Sequence, residues 1–210
     1  GTPDFSVNVL KGLIENYDVI GVVTQPDKEV GRKHEIKFSP VKEVALNNDI
    51  HVFQPIKIKE DYQELLKLPV DMIVTCAYGQ MIPKALLDFP KYGCINVHAS
   101  LLPKLRGGAP IHKAIINNYS RTGVTIMYMV EKMDAGDIIS QVDTPIYPND
   151  NVGILHDRLS EMGTKLLLDT IPNIVSGNIN PIKQDEEEVT YAKNITREEE
   201  KIDFSKNTID

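Results

Sequence analysis

Short apolar runs that alternate with helix-patterned segments constrain the fold of this chain more than any other feature. Residues 18–24 and 70–75 are nearly continuous apolar runs, as is typical of strands covered on both faces. The longest amphipathic segment, residues 153–175, keeps its apolar positions at helical spacing. Strands that alternate with helices indicate a parallel sheet built from right-handed βαβ units. We therefore predict an α/β fold with a mostly parallel sheet and helices on both faces.

The same two patterns predict the other elements. Residues 134–137, Asp-Ala-Gly-Asp, have the composition of a turn and connect two predicted strands. Residues 25–39 have no apolar period and end in basic side chains, so we predict an exposed loop there. Further helices are predicted at residues 5–14, 40–46, 61–68, 83–89 and 109–118, and further strands from Cys94 and at residues 123–130 and 138–144, with an extended piece at 51–54.

Length and composition narrow the class of protein. A chain of 210 residues fits one domain, and 41% hydrophobic with 25% charged residues allow it to bury a core. No apolar run approaches the roughly 18 residues of a membrane span, so we expect no membrane partner. Cys76 and Cys94 lack CxxC spacing, which favours buried, reduced thiols in a cytoplasmic protein. The net charge of −7 excludes a polyanion-binding surface over the whole chain but not a local basic patch.

Both ends of the sequence suggest a shortened protein. The chain opens at Gly1 without methionine, and a helix near residue 5 would normally follow a strand. We therefore expect a first strand before Gly1 to be missing. Beyond Asn180 the composition becomes acidic and charged, which is typical of a linker.

Two polar side chains mark the end of one predicted strand as a candidate active site. Asn96 and His98 are two residues apart and so point to the same face. Asparagine can donate from a fixed position to an oxyanion, and histidine can transfer a proton or hold negative charge. Asp134 lies in a turn at the end of another strand and can approach the same edge, where a carboxylate would orient the imidazole and favour its charged form.

The motifs that are missing narrow the chemistry of this site. There is no GxSxG elbow, no HExxH or cysteine cluster, no GxGxxG and no Walker loop. Arg106-Gly107-Gly108 before a helix could cradle an anion, although the motif is weak. Without a protein nucleophile or a metal, direct attack of one substrate on another suits the site. From the residues alone, a core histidine beside a buried asparagine remains an alternative.

The sequence Asn-Val-His-Ala-Ser-Leu-Leu-Pro at residues 96–103, followed by Arg106-Gly107 and by Asp-Ala-Gly-Asp at 134–137, resembles the folate-dependent formyltransferases. The resemblance implies a Rossmann-like catalytic domain and 10-formyltetrahydrofolate as co-substrate, without a metal. It also assigns roles to individual residues. Those implied to be catalytic are Asn96, His98 and Asp134, and those implied to bind the cofactor are Ser100, Leu101, Leu102 and Pro103.

Within that family, the sequence is most similar to members that formylate the α-amine of methionine on initiator tRNA. The similarity is carried by residues 1–5, by Thr-Gln-Pro-Asp at 24–27 with Gly31-Arg32, and by Ser-Pro-Val-Lys at 39–42. It implies that Arg32 contacts the acceptor arm of methionyl-initiator tRNA. Lys33 and Lys37 are expected to contact phosphates. Glu29 and Glu35 make this loop less basic than is usual in the family.

The resemblance also implies a domain organisation. Residues 1–189 would form the formyltransferase domain, and residues 190–210 a linker toward a C-terminal β-barrel domain that is absent here. We expect a monomer. Two alternatives stay open: a formyltransferase for a small amine, such as an amino sugar nucleotide or glycinamide ribonucleotide, and a folate-binding module without turnover.

Overall fold

The computed structural model describes residues 1–30 and 35–201, and it confirms the α/β class. In that part of the chain, five helices and eight strands are formed. The helices are α1 (Phe5–Asn16), α2 (Pro40–Asn47), α3 (Lys84–Leu87), α4 (Pro110–Ile116) and α5 (Val152–Ser176). The strands are β1 (Val22–Val23), β2 (Lys28–Val30), β3 (Glu35–Lys37), β4 (Val52–Phe53), β5 (Ile73–Thr75), β6 (Cys94–His98), β7 (Arg121–Tyr128) and β8 (Ile138–Pro145).

The main sheet is mixed, which corrects the expectation of a mostly parallel one. Its order is β5-β6-β7-β8, with β5 parallel to β6 but β7 antiparallel to both of its neighbours. The turn between β7 and β8 is too short for a parallel crossover, which needs about a dozen residues. The longer connection through α4 enters β7 at the end of the sheet where β6 finishes. A second pair, β1 with β4, is parallel as expected.

The core forms where α1 and α5 cover one face of this sheet. Ile95 and Val97 of β6 point to that face and are buried, while Asn96 and His98 alternate to the other. Gly163 lets α5 approach closely, since a Cβ there would lie 3.0 Å from a methyl group of Val97. Each large side chain buried here contributes roughly 1.5–3 kcal/mol. The opposite face carries a smaller cluster made of Ile58, Tyr78, Ile82, Leu86, Leu87 and Cys94.

Local signals set the helix ends. Pro40 begins α2 as predicted, with the Ser39 hydroxyl accepting a hydrogen bond from the Lys42 amide. Asn151 caps α5 in the same way, and Gly177 ends that helix in the left-handed conformation with φ 73°.

Two predicted elements differ from the structure. Residues 61–68 form only a short 3₁₀ turn, Leu65–Lys67, which ends where Leu68 precedes a proline and is extended. The predicted loop at residues 25–39 contains an antiparallel pair, β2 with β3. Residues 31–34, which connect these strands, lie outside the described residues.

An apolar cavity of about 670 Å³ lies between the β1–β4 pair and the main sheet, lined by residues of α1, β1 and β5. The first strand expected before Gly1 stays a prediction. Of the helices in the described part of the chain, none is both long and apolar enough to cross a lipid bilayer.

Candidate active site

Asn96 lies on β6 directly opposite Thr75 of β5. The Thr75 Oγ1 is 2.8 Å from Asn96 Oδ1 and 3.1 Å from the Ile95 carbonyl oxygen. Because the carbonyl end of the amide faces Thr75, its NH₂ group is directed away and can donate to a negatively charged oxygen. The parallel pairing of β5 and β6 thus fixes the direction of a candidate oxyanion donor.

His98 is buried at the end of β6, with 6% of its surface exposed. Its Nε2 lies 3.1 Å from the carbonyl oxygen of Leu105. A carbonyl only accepts, so Nε2 carries a hydrogen and donates it. The other ring nitrogen, Nδ1, is 3.8 Å from Asp134 Oδ2. That separation is longer than a hydrogen bond. Of the two ring nitrogens, Nδ1 is the one that faces Asp134.

Asp134 reaches this site from the turn between β7 and β8. Its backbone is left-handed, with φ 49°, a conformation that aspartate tolerates better than most residues. The Oδ2 atom that faces His98 also accepts a 2.8 Å hydrogen bond from the Gly107 amide. The structure therefore brings the predicted Asp134 and His98 together at the same edge of the sheet as Asn96.

The four residues predicted to bind the cofactor form the loop after β6, and their side chains differ in exposure. Ser100 is 1% exposed, and its hydroxyl donates to the Lys104 carbonyl at 2.6 Å. Leu102 is 3% exposed and packs inside the protein. Leu101 and Pro103 are half-buried. A ligand at this loop would therefore meet Leu101, Pro103 and the main chain rather than the Ser100 hydroxyl.

The Thr125 hydroxyl holds this loop against β7. It donates to the Ser100 carbonyl at 2.7 Å and accepts from the Leu102 amide at 3.1 Å. Gln141 of β8 donates both to the Thr125 hydroxyl at 2.8 Å and to the Leu102 carbonyl at 2.9 Å. These bonds fix the loop in one conformation, so any ligand contacts it offers are largely preformed.

Arg106, considered from the sequence as part of an anion cradle, is instead fully buried and used inside the protein. Its Nε and Nη2 donate to Gln184 Oε1 at 3.0 and 2.8 Å, and Nη2 also donates to Glu186 at 3.0 Å. The Glu186 carboxylate accepts hydrogen bonds from Lys132 and from Arg106, and these bonds lower its pKa. The guanidinium thus ties the loop after β6 to a later segment of the chain.

That later segment, residues 182–192, is named the strap here, and the sequence did not reveal it. Ile182 pairs with Ile138 of β8, and the Ala192 amide donates to the Arg106 carbonyl at 2.7 Å. Thr190 and Ala192, which we assigned to the linker, thus contact the site loop, and Ala192 is fully buried. The contacts of the packed unit extend beyond residue 189. This stretch is acidic and lacks an apolar period, so its sequence does not predict burial. The one available signal is Gln184, an uncharged side chain that precedes four consecutive acids.

Of the predicted tRNA-binding residues, the structure describes one. Lys37 is exposed on β3, paired with Lys28 of β2. Arg32 and Lys33 lie outside the described residues. The base of the hairpin is held by Lys42, which pairs with Asp27 at 2.5 Å and lowers the pKa of that carboxyl by donating a hydrogen bond.

Burial raises the pKa values of two cysteine thiols near the site. Burial raises the pKa of the Cys76 thiol to about 11 and that of Cys94 to about 12. Both thiols therefore stay protonated at neutral pH, as expected of buried cysteines. Among residues 1–30 and 35–201, no three His, Cys, Asp or Glu side chains come together in a way that could hold a metal ion.

Comparison with known proteins identifies the family. A family model described as formyl transferase matches residues 1–171. The chain belongs to the formyl transferase family. It is 62% identical over 209 residues to a methionyl-tRNA formyltransferase of Geobacillus sp. (strain WCH70), and 60% identical to one of Bacillus subtilis (strain 168). Each alignment covers 98% of this chain but 66% of the relative, so the chain spans about two-thirds of their length.

Solved formyl transferases share the fold. An N-formyltransferase from Helicobacter canadensis, in complex with folinic acid and dTDP-3-aminofucose, matches 100% of this chain and 75% of its own, with a TM-score of 0.73 at 25% identity. Phosphoribosylglycinamide formyltransferase from Bacillus halodurans matches 85% of this chain and 94% of its own, with a TM-score of 0.69 at 25% identity. The Rossmann-like class is thereby confirmed.

Proposed function

We propose that this chain is the catalytic part of an enzyme that transfers the formyl group of 10-formyltetrahydrofolate to the α-amine of methionine on initiator tRNA. The observation that carries the chemistry is the approach of His98 Nδ1 to Asp134 Oδ2, at 3.8 Å, beside the amide of Asn96. The choice of amine is supported by the methionyl-tRNA formyltransferases that are about 60% identical over nearly the whole chain.

The three polar residues suit acyl transfer between two substrates. The reaction forms one C–N bond, breaks another, and moves one proton from the attacking amine to the departing nitrogen. The bound co-substrate supplies the activated formyl group. Asn96 donates its NH₂ hydrogens to the oxyanion that develops on the formyl oxygen. His98, protonated at Nδ1, places positive charge beside the same oxygen, while Asp134 orients the imidazole and supports removal of the amine proton.

The loop after β6 is our candidate for the folate contact. We propose that Ser100, Leu101, Leu102 and Pro103 border the pterin, with the main chain and the half-buried Leu101 and Pro103 as the contacting parts. The Thr125 hydrogen bonds support this placement because a loop held in one conformation loses little entropy when a ligand binds. The segment at residues 78–83 would border the pterin from the other side.

The β2–β3 hairpin is our candidate for the tRNA contact. Arg32 is proposed to contact the acceptor arm, with Lys33 and the exposed Lys37 as phosphate contacts. Phosphate contacts release counterions, so the logarithm of the binding constant falls linearly with the logarithm of salt concentration, with a slope of about −0.9 per contact for duplexes. A small amine substrate has no such counterion atmosphere.

The alternative substrate is a small amine, since solved proteins of the same fold include an N-formyltransferase in complex with dTDP-3-aminofucose. The deciding experiment measures tetrahydrofolate release from 10-formyltetrahydrofolate with three amines in turn: methionyl-initiator tRNA, an amino sugar nucleotide and glycinamide ribonucleotide. We expect turnover with the charged tRNA and a steep fall with added salt. Turnover with a small amine but not with tRNA would contradict the proposal. Folate binding without turnover with any of the three would indicate a binding module.

We further propose a monomer that works in the cytoplasm, where charged tRNA and reduced folates are found together. Light scattering at micromolar concentration should give a mass near the 23.5 kDa of one chain. A mass of twice that value would contradict the monomer.

A further inference from the structure

We propose that Gln184 and Thr190 of the strap are positioning residues, which hold Asp134 and His98 in the geometry required for formyl transfer. This inference rests on the proposed function, because it concerns the efficiency of the same site. Neither residue was a candidate from the sequence. Each binds a main-chain group next to a candidate catalytic side chain.

Gln184 uses all of its hydrogen-bonding capacity on the site. Its two amide hydrogens go to the Asp134 carbonyl at 2.8 Å and the Gly136 carbonyl at 2.7 Å. Its Oε1 accepts from Arg106 Nε and Nη2 at 3.0 and 2.8 Å. The side chain is only 5% exposed, so water cannot easily replace these partners. One buried amide therefore joins the turn of Asp134 to the loop that follows β6.

The turn that carries Asp134 needs such support. Asp134 is left-handed at φ 49°, and a Cβ on Gly136 would lie 1.8 Å from the Tyr128 carbonyl oxygen, so the turn is pressed against the end of β7. The Asp134 carboxylate is held by the Gly107 amide, one residue after Arg106. Because Gln184 binds both the turn and Arg106, it sets the distance between the Asp134 carboxylate and the Gly107 amide.

Thr190 acts on the other catalytic side chain. Its hydroxyl accepts from the Leu105 amide at 2.9 Å, and its carbonyl accepts from the Arg106 amide at 2.9 Å. Leu105 is left-handed at φ 60°, an uncommon conformation for a residue with a branched side chain. The Leu105 carbonyl is the acceptor for His98 Nε2. Thr190 thus holds the peptide groups on both sides of Leu105: its hydroxyl binds the one before Leu105, and its carbonyl binds the one whose oxygen fixes the imidazole ring.

A purely structural strap would hold the fold together without affecting the position of the carboxylate. The two roles are separated by comparing Gln184→Ala with Lys183→Ala, a neighbouring exposed side chain on the same strap. We expect Gln184→Ala to lower kcat by about 10- to 100-fold, as a misplacement of the order of 1 Å can do, with little change in KM for the folate. Lys183→Ala should leave both constants unchanged. Equal kcat in the two variants would overturn the proposal for Gln184.

A double-mutant cycle shows whether Gln184 acts through Asp134. In the Asp134→Asn background, adding Gln184→Ala should lower kcat by less than about threefold, because the effects of residues that act as a unit do not add. If Gln184→Ala lowers kcat in that background by as much as it does in the wild-type protein, Gln184 acts elsewhere.

For Thr190, we expect Thr190→Val to lower kcat and to shift its pH profile, and Thr190→Ser to restore both. If serine fails to rescue, or if valine has no effect, the role of Thr190 is refuted.

A readout that does not depend on activity keeps this inference separate from the proposed function. In the full 210-residue chain, the Gly107 amide proton should resonate downfield and exchange slowly, because it donates to the Asp134 carboxylate. Gln184→Ala should move that resonance upfield and speed its exchange, and Lys183→Ala should not. An unchanged Gly107 resonance in Gln184→Ala would overturn the inference even in an active enzyme. An inactive wild-type protein with the expected resonance change would overturn the proposed function alone. If Gln184→Ala does not fold, as judged by circular dichroism, the exposed Thr190 variants decide the proposal.

Discussion

Replacing Thr75 by valine tests whether a hydroxyl on β5 sets the direction of the Asn96 amide. The Thr75 hydroxyl has one hydrogen and three close neighbours: Asn96 Oδ1 at 2.8 Å, the Ile95 carbonyl at 3.1 Å and Met129 Sδ at 2.9 Å. Valine keeps the shape of the buried side chain and removes that hydrogen. The amide of Asn96 can then turn, so that its oxygen rather than its NH₂ group faces the developing oxyanion.

The expected size follows from the energy of one hydrogen bond. A net contribution of about 0.5–1.5 kcal/mol corresponds to a change in rate of roughly 2- to 10-fold, at about 1.4 kcal/mol per factor of ten. Removing the donor itself by Asn96→Ala should cost about 10²–10³-fold. Thr75→Val should therefore give a partial loss of kcat, and it should lower the free energy of unfolding by about 1 kcal/mol.

The assay is single-turnover release of tetrahydrofolate with saturating amine, and urea unfolding measures stability in parallel. Thr75→Ser is the matched control, because serine keeps the hydroxyl, and it should retain most of the rate. A loss as large as that of Asn96→Ala would show that Thr75 does more than orient the amide. Equal losses in the serine and valine variants would refute the hydrogen-bond explanation.

Three further predictions follow from the site, the thiols and the hairpin. Asp134→Asn should leave the fold intact and lower turnover by orders of magnitude, measured by the same assay; near-full activity would contradict its role. Because burial raises the pKa of Cys76 to about 11 and of Cys94 to about 12, the thiolate forms are scarce at pH 8. A thiol reagent at that pH should label both cysteines only after denaturation, and prompt labelling of the native protein would show that they are accessible. Lys37→Ala should weaken tRNA binding and reduce the salt slope by about one, whereas Lys11→Ala, an exposed lysine on α1, should change neither.

Local periodicity predicted those parts of the site that lie within one element. The alternation of β6 places Asn96 and His98 on one face whatever the rest of the fold does, because side chains on a strand repeat every two residues. The composition of residues 134–137 also predicts the turn at Asp134. Its distance to His98 was not, since that depends on how β7 and β8 pair with β6.

The parts that the sequence did not predict depend on long-range partners. Gln184 is buried by contacts to residues 48 to 78 positions earlier in the chain, and no local pattern in an acidic segment can encode them. Strand direction has the same origin. The apolar run that predicts β7 is equally compatible with parallel and antiparallel pairing, and only the path of the connecting chain decides between them.

The hydrogen bond from His98 Nε2 to the Leu105 carbonyl has a consequence for how protons can move. A carbonyl oxygen does not accept a proton at neutral pH, so His98 cannot pass a proton in at one ring nitrogen and out at the other. The imidazole is the end of a proton path rather than a relay within it. Every proton that His98 gains or loses must travel through Nδ1, on the side of Asp134, and solvent behind the ring takes no part in the exchange.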